Sequence, residues 1–291
     1  MKFPHPMRRL EDRAERRLRR GMYILPSLFT CANIAAGYYA IVQTTQGSPS
    51  APEHFNLAAK AIGFAVMFDS LDGAVARATN TSSDFGRELD SLADVITFGV
   101  APAMLAFFWG FHFLPAMVVP LMRSRLAAIG MVASFLFLIA GASRLARFNI
   151  QMNPEPSNPG RPGKKYFVGL PIPAAAGVLA AVVHFTGGDP VQVWWKATIW
   201  TSLMVTCALL MVSTWRFFST KGIKVRSRHP FWVVIVVAVM MALAWELSRP
   251  FLLVVALTYM FSGILWRLQW IFRRRGGPQS PPPYKEASQP S

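Results

Sequence analysis

Residues 69–94 read DSLDGAVARATNTSSDFGRELDSLAD, and the fold is decided by how this stretch is placed. It holds Asp69, Asp72, Asp84, Glu88, Asp90 and Asp94, six of the chain's 14 carboxylates, inside an otherwise strongly apolar sequence. Acids at a membrane boundary are costly to desolvate, so they mark a functional site by default. Asp69 and Asp72 stand three apart, and Asp90 and Asp94 four apart, so each pair occupies one face of its own helix. Two such helices meeting across the turn near residue 80 bring four carboxylates together. Their mutual repulsion raises every pKa unless a cation lies among them. An all-oxygen donor set suits a hard divalent ion, Mg²⁺ or Mn²⁺.

The flanks explain why these helices lie in a bilayer. Of the 291 residues 53% are hydrophobic and only 15% charged, against about 25% charged in an ordinary soluble domain. Hydropathy predicts an all-α polytopic membrane protein with about eight transmembrane helices, near 23–44, 56–79, 88–113, 117–147, 168–187, 191–215, 230–247 and 250–272. Arg123 and Arg125 near the start of the fourth suggest that it begins as an interfacial segment. Residues 1–22 form a basic juxtamembrane segment in which Leu10, Ala14 and Leu18 define a narrow apolar face. This predicts a short surface helix held by anionic lipid. The chain then divides into a core at 23–215, a basic loop with two further spans at 216–272, and a tail at 273–291 too poor in apolar residues to pack.

The net charge of +16 does not point to nucleic acid, because the basic residues sit at the ends of apolar segments. With both termini in the cytoplasm, all of the 30 lysines and arginines except Lys60, Arg123, Arg125, Lys196 and Arg249 fall on the cytoplasmic side. This bias supports an even number of spans and places the aspartates at the cytoplasmic face. Cys31 and Cys207 lie in apolar runs without metal-ligand spacing and are expected to be buried thiols. The five histidines show no paired spacing, and none is assigned to catalysis. The tryptophans, for example Trp109, Trp194 and Trp195, are expected at span ends as interfacial aromatics.

The acidic stretch also resembles a known family. Asp69-x-x-Asp72-Gly73-x-x-Ala76-Arg77, eight residues, then Gly86-x-x-x-Asp90-x-x-x-Asp94 is similar, at every fixed position, to the signature of the CDP-alcohol phosphotransferases. The resemblance implies an integral-membrane transferase acting on a CDP-linked lipid, with one or more divalent ions, two in the simplest scheme. It implies Asp69, Asp72 and Asp90 as metal ligands. Asp94 completes that cage and looks like the general base for the acceptor hydroxyl. Asp72, Gly73, Ala76, Arg77 and Gly86 look like the cleft for the CDP group, and Asn33, on the first span with Thr30 on the same face, like a contact to the cytidine or its ribose.

The acceptor reads less sharply. The segments 25–37, Ser143–Asn149 and Phe167–Gly177 are similar to the branch of the family that uses serine. Arg144 and Arg147, three apart on one helical face, suit a carboxylate or phosphate through the guanidinium fork. The resemblance therefore implies CDP-diacylglycerol and L-serine as substrates, membrane lipids and a second copy of the chain as partners, and a bacterial inner membrane as location. Glycerol phosphate, inositol phosphate or choline stand as alternative acceptors, with Arg161, Lys164 and Lys165 available to a phosphorylated one. A cation or metabolite transporter with an acidic vestibule is the alternative from another class. The inverted repeats expected of one are not evident in the sequence.

Overall fold

The computed structural model describes residues 28, 30–79, 84–115, 120–150, 166–218 and 248–274, and of residues 70–79, 84, 85, 87, 166, 248, 273 and 274 the backbone alone. The predicted surface helix at 1–22, the seventh span at 230–247, most of the tail, and Arg161, Lys164 and Lys165 lie outside the described residues.

The chain is overwhelmingly helical. Helix α1 occupies 30–46, and a tight turn in which Ser48 bridges Ala51 reverses the chain into α2, Glu53–Thr79. The hairpin is fastened by His54 Nδ1 against Gln43 Oε1 at 2.7 Å. Helix α3, Asp84–Asp94, runs without a break through a π-helical segment, Val95–Val100, into α4, Ala101–Phe107, and a second π segment, Phe108–His112. Helix α5, Pro120–Ile150, is one uninterrupted helix of 31 residues. Its length of about 46 Å at 1.5 Å per residue exceeds the hydrocarbon thickness. Arg123 and Arg125 occupy its first turns, continuous with the rest of the helix.

The predicted fifth span begins later than hydropathy suggests. Tyr166–Val168 is a strand, β1, and α6 starts only at Ile172, after Pro171 and with Pro173 in its first turn, where a missing N–H costs nothing. Helix α7, Trp194–Val212, likewise ends before strand β2, Arg216–Phe218. The two strands pair antiparallel with Phe167 opposite Phe217. An all-α reading is thus corrected by one small sheet. Its cause is local: Gly169 has φ +74 and donates its N–H to Trp215 O at 2.8 Å, while Leu170 N bonds Leu210 O at 2.9 Å. A Cβ at Gly169 would stand 2.6 Å from Met211 O. Gly169→Ala is therefore expected to cost about 2 kcal/mol in strain and displaced carbonyls, read as a lowered Tm in detergent.

Helix α8, Ser248–Arg274, packs on α6 and β2. Among the described residues four helical runs are long and apolar enough to cross a membrane: Glu88–His112, Pro120–Ile150, Trp194–Val212 and Arg249–Phe272. Ile172–Phe185 is apolar but shorter. The core relies on small residues that let backbones approach, as membrane bundles do. Ala58, Ala59, Ala65, Ala101, Ala175 and Ala176 are all essentially inaccessible. Gly37 marks a close crossing, since a Cβ there would lie 2.8 Å from Thr97 Cα, so α1 rests directly on the first π segment.

One expectation needs correcting and one refining. Cys31 faces outward from the bundle while Cys207 is buried, its Sγ 3.8 Å from Met260 Sδ. An apolar run reports avoidance of water, not which face meets protein. Trp109 lies near the end of the Glu88–His112 run as expected, but it is buried against protein and packs edge-on against Trp200 at 4.9 Å, whose Nε1 bonds Ala106 O. Trp194 and Trp195 are exposed as expected.

Candidate active site

The acidic residues come from two consecutive helices. Asp69 lies in the C-terminal half of α2, and Asp90 and Asp94 lie one turn apart at the end of α3. One carboxylate oxygen from each of these three side chains falls within 4.8 Å of the others. Asp69 and Asp90 are half-buried, and Asp94 is 8% exposed. Asp72, Gly73, Ala76 and Arg77 follow Asp69 on α2, and only their backbone is described, so Asp72 stands one turn beyond Asp69 on a continuous helix. Gly86 sits in the first turn of α3 and is half-buried.

Three carboxylates at this separation repel unless a cation neutralises them. The set is entirely oxygen, partly enclosed and supplied by two rigid helices. That combination fits a hard divalent ion and offers nothing to a soft one. The π segment begins immediately after Asp94. Such segments add a residue to the turn and cluster at functional sites.

Thr97, inside that segment and fully buried, donates its Oγ1 hydrogen to Asn33 O at 2.9 Å. The bond ties α1 to the acid-bearing run and carries Asn33 beside it. Asn33 is 2% exposed, and its Oδ1 has no hydrogen-bond partner among the described residues. An orphaned buried carbonyl is costly. Thr30, one turn before, is also buried. Nothing in the sequence singled out Thr97, since a threonine in an apolar helix carries no local signal.

The two arginines of α5 take different roles. Arg147 donates Nη1 to Val212 O at 3.2 Å and Nη2 to Ser213 O at 3.5 Å, capping the end of α7. Arg144 is only 7% exposed, its guanidinium lies 4.6 Å above the Phe148 ring, and its Nε has no hydrogen-bond partner among the described residues. It is within electrostatic reach of Tyr259, Arg147 and Asp94. Asn149 Nδ2 bonds Ser91 Oγ at 3.2 Å and fastens the same end of α5 to α3. The structure thus brings Asp69, Asp90, Asp94, Asn33 and Arg144 to one end of the bundle. Arg147 ties that end to the end of α7, and its Nε, like that of Arg144, has no hydrogen-bond partner among the described residues.

Known proteins resemble this chain over most of its length. The sequence model of the CDP-alcohol phosphatidyltransferase family matches residues 23–207. A CDP-diacylglycerol–serine O-phosphatidyltransferase of Helicobacter pylori is 35% identical over 258 residues, covering 86% of this chain and 92% of its own length. One from Mycobacterium leprae is 32% identical, covering 82% of this chain and 73% of its own. An archaetidylserine synthase of Methanothermobacter thermautotrophicus is 33% identical, covering 65% and 67%.

Proposed function

This chain belongs to the CDP-alcohol phosphatidyltransferase family, and we propose that it transfers the phosphatidyl group of CDP-diacylglycerol to the hydroxyl of L-serine, releasing CMP. The observation that carries the reading is the convergence of Asp69, Asp90 and Asp94 from two consecutive helices. The serine hydroxyl attacks the phosphorus that bears the diacylglycerol, forming the new P–O bond as the bond to the CMP phosphate oxygen breaks. Asp94 takes the hydroxyl proton and later releases it to solvent. A carboxylate is a competent base there because it touches the acceptor only once the substrate is seated.

Mg²⁺ or Mn²⁺, two ions in the simplest scheme, would be held by Asp69, Asp72, Asp90 and Asp94 and would neutralise charge on the pyrophosphate. Gly73, Ala76 and Gly86 give the CDP group close access to backbone, Arg77 offers it a cation, and Asn33 presents its amide to the cytidine or ribose. Arg144 receives the acceptor carboxylate. Eight spans with both termini and the site in the cytoplasm, in a bacterial inner membrane and as a homodimer, complete the proposal.

An acceptor screen tests it. Purified protein with CDP-diacylglycerol and Mn²⁺ is expected to release CMP with serine and not with glycerol phosphate, inositol phosphate or choline. Release with glycerol phosphate alone would overturn the choice of acceptor.

A further inference from the structure

The stripe of α1 that meets the protein runs Thr30, Asn33, Gly37, Ala40 and Thr44, and every one of these residues is buried. All five are small or polar, so the backbones approach closely but interdigitating side chains give α1 little to stop it sliding or turning. A directional bond supplies what shape does not, as a single polar group sets register between other packed helices. Gly37 lets Thr97 Cα stand 2.8 Å from where a Cβ would be, and one turn earlier Asn33 O receives the Thr97 hydroxyl hydrogen at 2.9 Å. Other threonines of the bundle behave differently. Thr44, Thr198, Thr201 and Thr206 each donate back to the carbonyl four residues earlier in their own helix, the usual habit of a hydroxyl in an apolar helix. Thr97 instead donates across to α1, from within the π segment and three residues past Asp94. The Asn33 amide does not fix itself, since its Oδ1 has no hydrogen-bond partner among the described residues.

We propose that Thr97 is a positioning residue for the nucleotide: its hydroxyl, bonded to the Asn33 carbonyl, sets the height and rotation of α1 so that the Asn33 amide meets the cytidine or ribose while the pyrophosphate lies at the aspartates. This rests on the reading of Asn33 given above. A nucleoside diphosphate is held at two ends, and the group that reads the nucleoside must stand at a fixed distance from the acids that hold the metal. Asn33 and Asp94 belong to different helices, and the Thr97 bond joins them directly. Without it the amide has to be brought into place at the expense of binding, because preorganisation is lost.

The test is steady-state CMP release by the full-length protein in Mn²⁺, with CDP-diacylglycerol and serine varied in turn. Thr97→Val keeps the branched shape and loses the hydroxyl. It is expected to raise the KM for CDP-diacylglycerol about tenfold, with kcat and the serine KM within about twofold of wild type. Thr97→Ser keeps the donor and should stay within about twofold of wild type throughout. Asn33→Ala keeps the backbone carbonyl but removes the amide, so adding Thr97→Val to it should raise the KM no further. If Thr97→Val does not fold, Thr97→Ala replaces it with the same expectations. An unchanged KM for CDP-diacylglycerol, a loss spread equally over kcat and both KM values, no rescue by serine, or additive effects in the double variant overturns the assignment. Asn33→Ala with a wild-type KM for CDP-diacylglycerol overturns the parent reading of Asn33, and this one with it; an impaired Asn33→Ala beside an unaffected Thr97→Val overturns only this one.

Discussion

Asp94→Asn lowers CMP release from CDP-diacylglycerol and serine by about a thousandfold, within the range for removing a general base. The substitution is close to isosteric and keeps the side chain where it is, 8% exposed at the start of the π segment. What it removes is the site that accepts the hydroxyl proton, together with one negative charge. The charge gives the experiment a second readout of opposite sign. Three carboxylates with oxygens within 4.8 Å destabilise one another in metal-free protein, so neutralising one should leave Tm unchanged or raise it. A merely structural Asp94 predicts the reverse: Tm falls, and activity declines only as the folded fraction does. Single-turnover CMP release in Mn²⁺, beside thermal melts with and without the ion, separates the two.

The clustering of the acids was legible in their spacing, while the chemistry expected of them came with the resemblance to the family. Asp69 and Asp72, then Asp90 and Asp94, declare two helical faces. The structure brings Asp69, Asp90 and Asp94 together through α2 and α3 as that spacing requires. What sequence could not show is which face of an apolar helix meets protein. α5 and α7 are apolar nearly all round, and lipid satisfies a leucine as well as another helix does. Hence Cys31, expected inside, faces outward, and the burial of Trp109 against protein gave no signal in the sequence. The π segments escape hydropathy because one inserted residue leaves the mean unchanged. The β1–β2 hairpin escapes it because three-residue strands at the ends of apolar helices look like more helix. Only Gly169, Pro171 and Pro173 hinted that the chain turns there.

Arg144 and Arg147 were indistinguishable in sequence, and the second large effect separates them. Arg144→Ala is expected to lower kcat/KM for serine about a hundredfold while leaving the KM for CDP-diacylglycerol nearly unchanged, because a charged hydrogen-bonded contact to the acceptor is lost. Arg144→Lys should recover only part of this, since an ammonium restores charge but not the fork. Stability should move the other way. Arg144 is a buried cation whose Nε has no partner among the described residues, and such a charge costs several kcal/mol of desolvation that its surroundings repay incompletely. An apolar replacement, Arg144→Leu, should therefore leave Tm unchanged or raise it. Arg147→Ala should lower Tm, because the carbonyls of Val212 and Ser213 lose their donors at the end of α7. A loss of acceptor affinity in the Arg147 variant without a loss of stability would exchange the two roles. Selection keeps a destabilising buried charge only where something else gains by it, and at Arg144 the proposed gain is a binding site for the acceptor's anion.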